Sequence, residues 1–217
     1  MDFERARFNM VEQQIRPWEV VDANVRQLLM SVRRENYVPR LMRALAFADI
    51  EIPLSHRQFM LRPMIEGRIL QALGIGRTDS VLEIGTGSAY FAALLAVGAN
   101  KVRTVEIESE LAKQARDRLS LAGVKNVVVE ESDGLRKQAV HALYDVIVVS
   151  GGVPELPETL GERLAVGGRL FAFVGEAPVM KARLVVREDK DHFHHRDLFE
   201  TVVPMLRHPM HTSTFRF

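Results

Sequence analysis

Apolar residues recur at three- and four-residue spacing over residues 3–15 and again over 22–32, where Val21, Val25, Leu28, Leu29 and Val32 mark one face. That period lays one side of a helix against a core, so two short N-terminal helices are expected. Pro17 and Pro39 punctuate them, and Asp22 stands where a side-chain oxygen caps the second. Residues 45–63, with EIPLSHRQFMLRP, keep neither period and read as loop. Pro63, whose missing N–H costs nothing in a first turn, opens a third helix to about Leu73.

Beyond Gly76 short apolar runs at residues 80–84, 101–107, 126–130, 144–150 and 169–175 read as buried strands. Between them, residues 88–97, 108–121 and 156–164 keep helical spacing. That alternation requires a mostly parallel sheet covered on both faces, an α/β doubly wound, Rossmann-like fold. Residues 181–187 and 192–203 flank the turn-like EDKD of 188–191 and predict a C-terminal hairpin. The expected organisation is an N-terminal helical extension and loop over 1–63 and a nucleotide-type domain over 64–217, forming one unit.

Composition narrows the classes. The 217 residues are 47% apolar and 26% charged, an ordinary globular mix, and 29 Lys and Arg against 28 Asp and Glu leave a net charge of +1. No global field draws the chain to nucleic acid or to an anionic membrane, and neither is expected as a partner. The absence of cysteine excludes disulfides, thiolate ligands and a cysteine nucleophile, and fits a reducing compartment, with cytoplasm the expected location. The N-terminus is too charged for a signal peptide, and the longest apolar run, 89–99, is too short to span a bilayer.

The chemistry concentrates in VLEIGTGSAY, residues 81–90. Gly85 and Gly87 allow a sharp turn after a strand and let the backbone approach a ligand closely. A dinucleotide site wants a third glycine where Tyr90 stands, and no Gly-Lys-Ser/Thr follows for a P-loop. Glu83 would repel a pyrophosphate but suits a cation, such as the sulfonium and ammonium of S-adenosylmethionine. Glu106, ending the second strand, stands where a doubly wound fold presents a carboxylate to ribose hydroxyls. Asp133-Gly134 follows the third strand, where the acid accepts from an adenine amine.

At these residues the chain resembles the protein-L-isoaspartate O-methyltransferase family. VLEIGTGSAY looks like its VLEIGTGSGY, and SVRRENYVP, AFADIEIPL, NVVVEESDG, YDVIVVSGGVPELPETLGERLAVGGRL and FETVVPML follow in the family's order across nearly the whole chain. The resemblance implies a methyltransferase domain that methylates the misplaced α-carboxylate of isoaspartyl (D-aspartyl) residues in damaged proteins. It also implies S-adenosylmethionine contacts at Glu83, Gly85, Ser88, Glu106 and Asp133; with the adjoining Thr86, Gly87, Ile107, Gly134 and Ser150 these form the candidate cofactor set.

The departures matter as much. Ala89 replaces the last glycine of the family turn. In PLSHRQFMLRP the family reads Pro-Leu/Ile-Gly-x-Gly-Gln-Thr-Ile-Ser-Gln-Pro, so Arg57, Phe59, Leu61 and Arg62 break the pattern. Leu61 takes the place of the serine usually assigned to catalysis, and no catalytic residue is named in its stead. An α-carboxylate with a pKa of about 3.5 is already ionised at neutral pH, so methyl transfer needs no general base. Losing the serine then removes positioning worth about 1–3 kcal/mol.

Guanidinium forks hold carboxylates, so Arg62, with Arg57 second and Phe59 as a wall, is expected to grip the acceptor; two solvated arginines remain the alternative. His192 and His194 lack a third ligand, so no metal is expected. His56 reads as a loop histidine, and Trp18 as the anchor of the N-terminal helices on the sheet. Ser150-Gly151-Gly152-Val153 lacks the Asn/Asp-Pro-Pro-aromatic turn of many N-methyltransferases. The expected activity is methylation of a carboxylate, isoaspartyl by default. The alternatives are another acceptor, such as a small carboxylate, or a noncatalytic cofactor-binding module.

Overall fold

The computed structural model describes residues 2–136 and 142–207. Helix α1, Phe3–Asn9, starts where the Asp2 carboxylate accepts from the Arg5 N–H, and it continues as wider turns over Met10–Ile15 and a tight turn at Arg16–Trp18. The i→i+5 winding brings Met10 and Ile15 onto one side, both fully buried. Helix α2, Ala23–Ser31, is capped by Asp22, which accepts from Asn24 N–H at 2.8 Å. The stretch expected as loop holds a two-strand pair, β1 (Ile52–Pro53) and β2 (Phe59–Met60). His56 and Arg57, both at positive φ, turn the chain between them.

Helix α3, Pro63–Leu73, begins on its proline as expected. A Cβ at Gly67 would meet Ile15 at 3.0 Å and Val20 at 3.3 Å, so glycine there lets α3 lie against the N-terminal segment. Those two residues, fully buried, anchor the segment. Trp18 does not: it is 53% exposed, because the tight turn swings it outward.

The sheet is built from β3 (Ser80–Ile84), β4 (Lys101–Glu106), β5 (Val127–Glu131), β6 (Tyr144–Val153), β7 (Leu164–Glu176), β8 (Val179–Arg187) and β9 (Phe193–Thr201). Helices α4 (Tyr90–Gly98), α5 (Ser109–Leu121) and α6 (Glu158–Glu162) connect its parallel strands. The order is β5-β4-β3-β6-β7-β8-β9, parallel from β5 to β7 and antiparallel at β8 and β9. The chain winds outward through β4 and β5, then returns to β6 on the other side of β3, which creates a switch point beside β3.

The doubly wound fold holds, with two differences. α6 is a single helical turn, and β7, β8 and β9 form a three-stranded meander in place of an isolated hairpin. Alternate strand residues fill opposite cores: Val81, Val146, Val148, Phe171 and Phe173 on one face, Leu82, Ile84, Ile147, Val149 and Leu170 on the other.

One buried cation ties the N-terminal region to this frame. Arg34, wholly inaccessible, pairs with Glu66 of α3, donates to the Leu61 carbonyl at 2.7 Å, and lies 4.6 Å from the centre of the Tyr90 ring at the start of α4. Removing one member of a buried ion pair strands the other, at about 3–5 kcal/mol. Arg34→Ala is therefore expected to lower the unfolding free energy by that amount in urea denaturation. Arg34→Met combined with Glu66→Leu should recover most of it, and a double variant no better than Arg34→Ala contradicts the account.

Candidate active site

A cleft opens at the carboxyl ends of β3, β4, β5 and β6, where the strand order reverses. Its inner wall carries Gly85, Gly87, Glu106, Ile107, Asp133, Gly134 and Ser150, with apolar Ile84, Val105 and Leu135. Seven of the ten candidate cofactor residues thus meet in one place. Gly85 and Gly87 adopt φ of 96° and 51°, the left-handed region that favours glycine. A Cβ at Gly85 would come within 2.8 Å of Leu206. Ala89 also adopts positive φ, 68°, where a methyl costs about 1–2 kcal/mol relative to the right-handed conformation.

Glu106 holds the turn in shape. One carboxylate oxygen accepts from Gly87 N–H at 2.8 Å, the other from Ile107 N–H at 3.0 Å and Glu108 N–H at 3.1 Å. Burial raises its pKa above the usual carboxylate value against the opposing pull of these N–H donors. Asp133 accepts from Leu135 N–H at 3.0 Å, which orients it at the mouth of the β5 turn.

The other three candidates lie behind this wall. Glu83, expected to face a cation, is fully buried, and its carboxyl oxygens accept from Thr104 Oγ1 at 2.6 Å and Ser150 Oγ at 3.0 Å. Burial pushes its pKa up to about 8. At neutral pH it is mainly a neutral hydrogen-bonding group beneath the turn. The Thr86 hydroxyl meets that of Thr104 at 2.6 Å, and Ser88 Oγ accepts from Tyr90 N–H at 3.2 Å. Both buried hydroxyls brace the turn from within.

The outer wall is Gln58, Phe59, Leu206 and Arg207. Of these only Phe59 is among the residues expected from sequence. Leu206 and Arg207 arrive because the segment after β9 crosses back over β6: Gly152 N–H donates to the Pro204 carbonyl and Leu206 N–H to that of Gly152, each at 2.9 Å. The motif FETVVPML was the only sign of this in the sequence. Glu108, at the start of α5, pairs with Arg207 and lies 3.3 Å from His56 Nδ1, while Glu110 lies 3.0 Å from His56 Nε2. His56 is thus a tether between the β1–β2 turn and α5.

The expected arginine grip is not assembled. Arg62 lines a different groove, beside Trp18, Arg68 and Phe199, with Thr201 Oγ1 3.4 Å away. Arg57 is exposed on the β1–β2 turn and lines neither groove. Leu61 is buried, its carbonyl held by Arg34.

The chemistry of the cleft follows from this donor set. Two acids and a glycine turn offer no seat for a pyrophosphate, and the one cation on the wall among the described residues, Arg207, is already paired. Acids on ring hydroxyls and an exocyclic amine, with apolar Ile107 and Leu135 alongside, fit an adenosine-bearing cationic cofactor.

The sequence profile described as Protein-L-isoaspartate(D-aspartate) O-methyltransferase (PCMT) matches residues 5–207. A protein-L-isoaspartate O-methyltransferase of Geobacter metallireducens is 38% identical over 190 residues, 87% of this chain and 88% of its own length. One of Syntrophotalea carbinolica is 36% identical over 92% of each chain. In fold, the chain is similar to a Plasmodium falciparum chain assigned to the same activity and solved with S-adenosyl-L-homocysteine, at a TM-score of 0.80 and 18% identity, covering 93% of this chain and 98% of that one. The chain therefore belongs to the protein-L-isoaspartate(D-aspartate) O-methyltransferase family.

Proposed function

We propose that the chain transfers the methyl group of S-adenosylmethionine to the α-carboxylate of isoaspartyl residues in polypeptides. The observation that carries the reading is the meeting of Glu106 and Asp133 on one cleft whose floor is the glycine turn, in a chain matched to this family over residues 5–207. S-adenosylmethionine, when bound, supplies a methyl carbon made electrophilic by its sulfonium.

Glu106, fixed by three backbone N–H groups, is set to accept from ribose hydroxyls without reorganising. Asp133 is assigned to the adenine amine and Ile107 to its apolar face. The acceptor carboxylate is ionised before it arrives, so no side chain has to remove a proton. What the chain supplies is alignment and exclusion of water. With Arg57 and Arg62 outside the cleft, orientation of the acceptor is assigned to the Gln58 amide and the Ser150 hydroxyl, two of the polar groups on its lining. Glu83 supports Ser150 from below as a largely neutral acid.

The direct test is an isoaspartyl peptide with methyl-labelled cofactor. Base-labile label in the peptide is expected, with none in the matched aspartyl peptide. S-adenosylhomocysteine binding without transfer would move the assignment to a different acceptor, a reading that Leu61 favours.

Loss of charged hydrogen bonds to the ribose is worth about 1.5–3 kcal/mol, so Glu106→Ala should weaken S-adenosylhomocysteine binding by about 10- to 100-fold in calorimetry. Unaltered affinity would remove Glu106 from the site.

Glu83 has its folded pKa raised from the ordinary 4.5 to about 8. Its contribution to stability is complete below about 4.5 and is lost as pH rises through about 8. Melting temperature is therefore expected to fall between pH 6 and 9 less steeply in Glu83→Gln than in the parent. Equal slopes would show that Glu83 is ionised in the folded protein at neutral pH.

A further inference from the structure

A second groove, of about 410 Å³, runs between the tight turn Arg40–Leu45 and the C-terminal end of α5. Three guanidinium groups line it, Arg40, Arg43 and Arg118, and none of them has a carboxylate within ion-pair distance among the described residues.

Arg118 is partly buried, and its hydrogen bonds go to neutral oxygens, the Ser88 carbonyl and Gln114 Oε1, each at 3.2 Å. Burial lowers its pKa because nothing negative offsets the lost hydration. Arg43 likewise donates to the Glu35 carbonyl and to Asn36 Oδ1, each at 3.0 Å. Arg40 is exposed, and its side chain makes no hydrogen bond among the described residues. The single acid on the groove among the described residues, Glu35, is buried and paired with Arg7. Positive charge therefore accumulates here in a chain whose net charge is only +1.

We propose that this groove binds a small phosphate-bearing anion and that Arg118 transmits its occupancy to the glycine turn. Guanidinium groups hold phosphate oxygens through paired N–H donors. Three of them match the charge of a phosphate ester or diphosphate better than that of a single carboxylate. The volume lies in the range of small-molecule sites, and Val38, Leu121 and Ala122 give an apolar flank for the rest of an organic phosphate. The coupling follows from the Ser88 bond. Ser88 lies in the turn that frames the cofactor cleft, and an anion drawing on Arg118 competes with the Ser88 carbonyl for the same guanidinium. Cofactor and anion then alter each other's affinity by one common factor.

The test is calorimetric titration of inorganic pyrophosphate, and separately of ADP, into protein saturated with S-adenosylhomocysteine, which keeps both probes out of the cofactor cleft. Saturable binding at low ionic strength is expected, weakened by added salt. Tighter binding of ADP than of pyrophosphate assigns the apolar flank to an organic phosphate, and equal binding assigns the site to the phosphates alone; either supports the site.

Arg40→Glu, at an exposed position without a hydrogen bond or ion pair among the described residues, should weaken binding at least tenfold, and Arg118→Gln should do the same. Absence of saturable binding, or binding that Arg40→Glu leaves unchanged, overturns the site. Binding of pyrophosphate that leaves S-adenosylhomocysteine affinity unchanged in the parent overturns the coupling. A failed isoaspartyl assay bears on neither result, since the titration does not depend on the acceptor.

Discussion

The fold turns on the buried guanidinium of Arg34. A charge taken wholly out of water is tolerable only where its hydrogen-bonding needs are met locally. Arg34 meets most of them through Glu66 on α3, the Leu61 carbonyl just before α3 and the Tyr90 ring where α4 leaves the glycine turn, and only its Nε finds no partner among the described residues. The N-terminal region, the strand pair that walls the cleft and the cofactor turn therefore share one fixed point. Hydrophobic contacts such as Ile15 and Val20 on Gly67 supply burial, but they are not directional and would tolerate sliding. The ion pair sets the register in which α3 and the 59–62 segment meet the sheet.

From that point the cleft is assembled by backbone geometry more than by charge. Glu106 spends its carboxylate oxygens on N–H groups at both ends of the site, joining the turn after β3 to the start of α5. Beneath it, the hydroxyls of Thr86, Thr104 and Ser150 and the carboxyl of Glu83 form a buried polar network. Such a network rigidifies when each member is satisfied. This arrangement braces the glycine turn, where Gly85 and Gly87 adopt positive φ.

Strands and helices were legible because two periods, 2 and 3.6, differ sharply over buried elements. Ser80–Ile84 was read to the residue, and Pro63–Leu73 from its proline to about its end. Side-chain direction at strand ends was not. Glu83 sits in a strand whose neighbours are all apolar, and sequence alone does not say whether the last acid of such a strand reaches the rim or turns under it. Arg62 shows the same difficulty more clearly. Residues 59–62 are extended, so side chains alternate, and Phe59 on the cleft places Arg62 on the opposite side. Treating the stretch as loop hid that alternation. The outer wall was harder still, because Arg207 and Glu108 lie 99 residues apart and their pairing depends on the meander that brings the C-terminal segment back over β6.

That wall also determines how the cleft admits anything. Enclosed space within it is about 50 Å³, whereas sites for small molecules run from about 300 Å³ upward. The Gln58–Phe59 and Leu206–Arg207 segments form the outer side of that space. The Leu206–Arg207 segment is fastened by the backbone bonds between Gly152 and Pro204 and Leu206 and by the Arg207–Glu108 ion pair, and the Gln58–Phe59 segment by the contacts of His56 with Glu108 and Glu110. An ion pair with a largely exposed member such as Arg207 is worth about 0–1 kcal/mol, against about 3–5 kcal/mol for breaking the buried pair at Arg34. The inner wall is the more densely bonded side of the cleft, with Glu106 held by three backbone N–H groups and Glu83 beneath it by two hydroxyls.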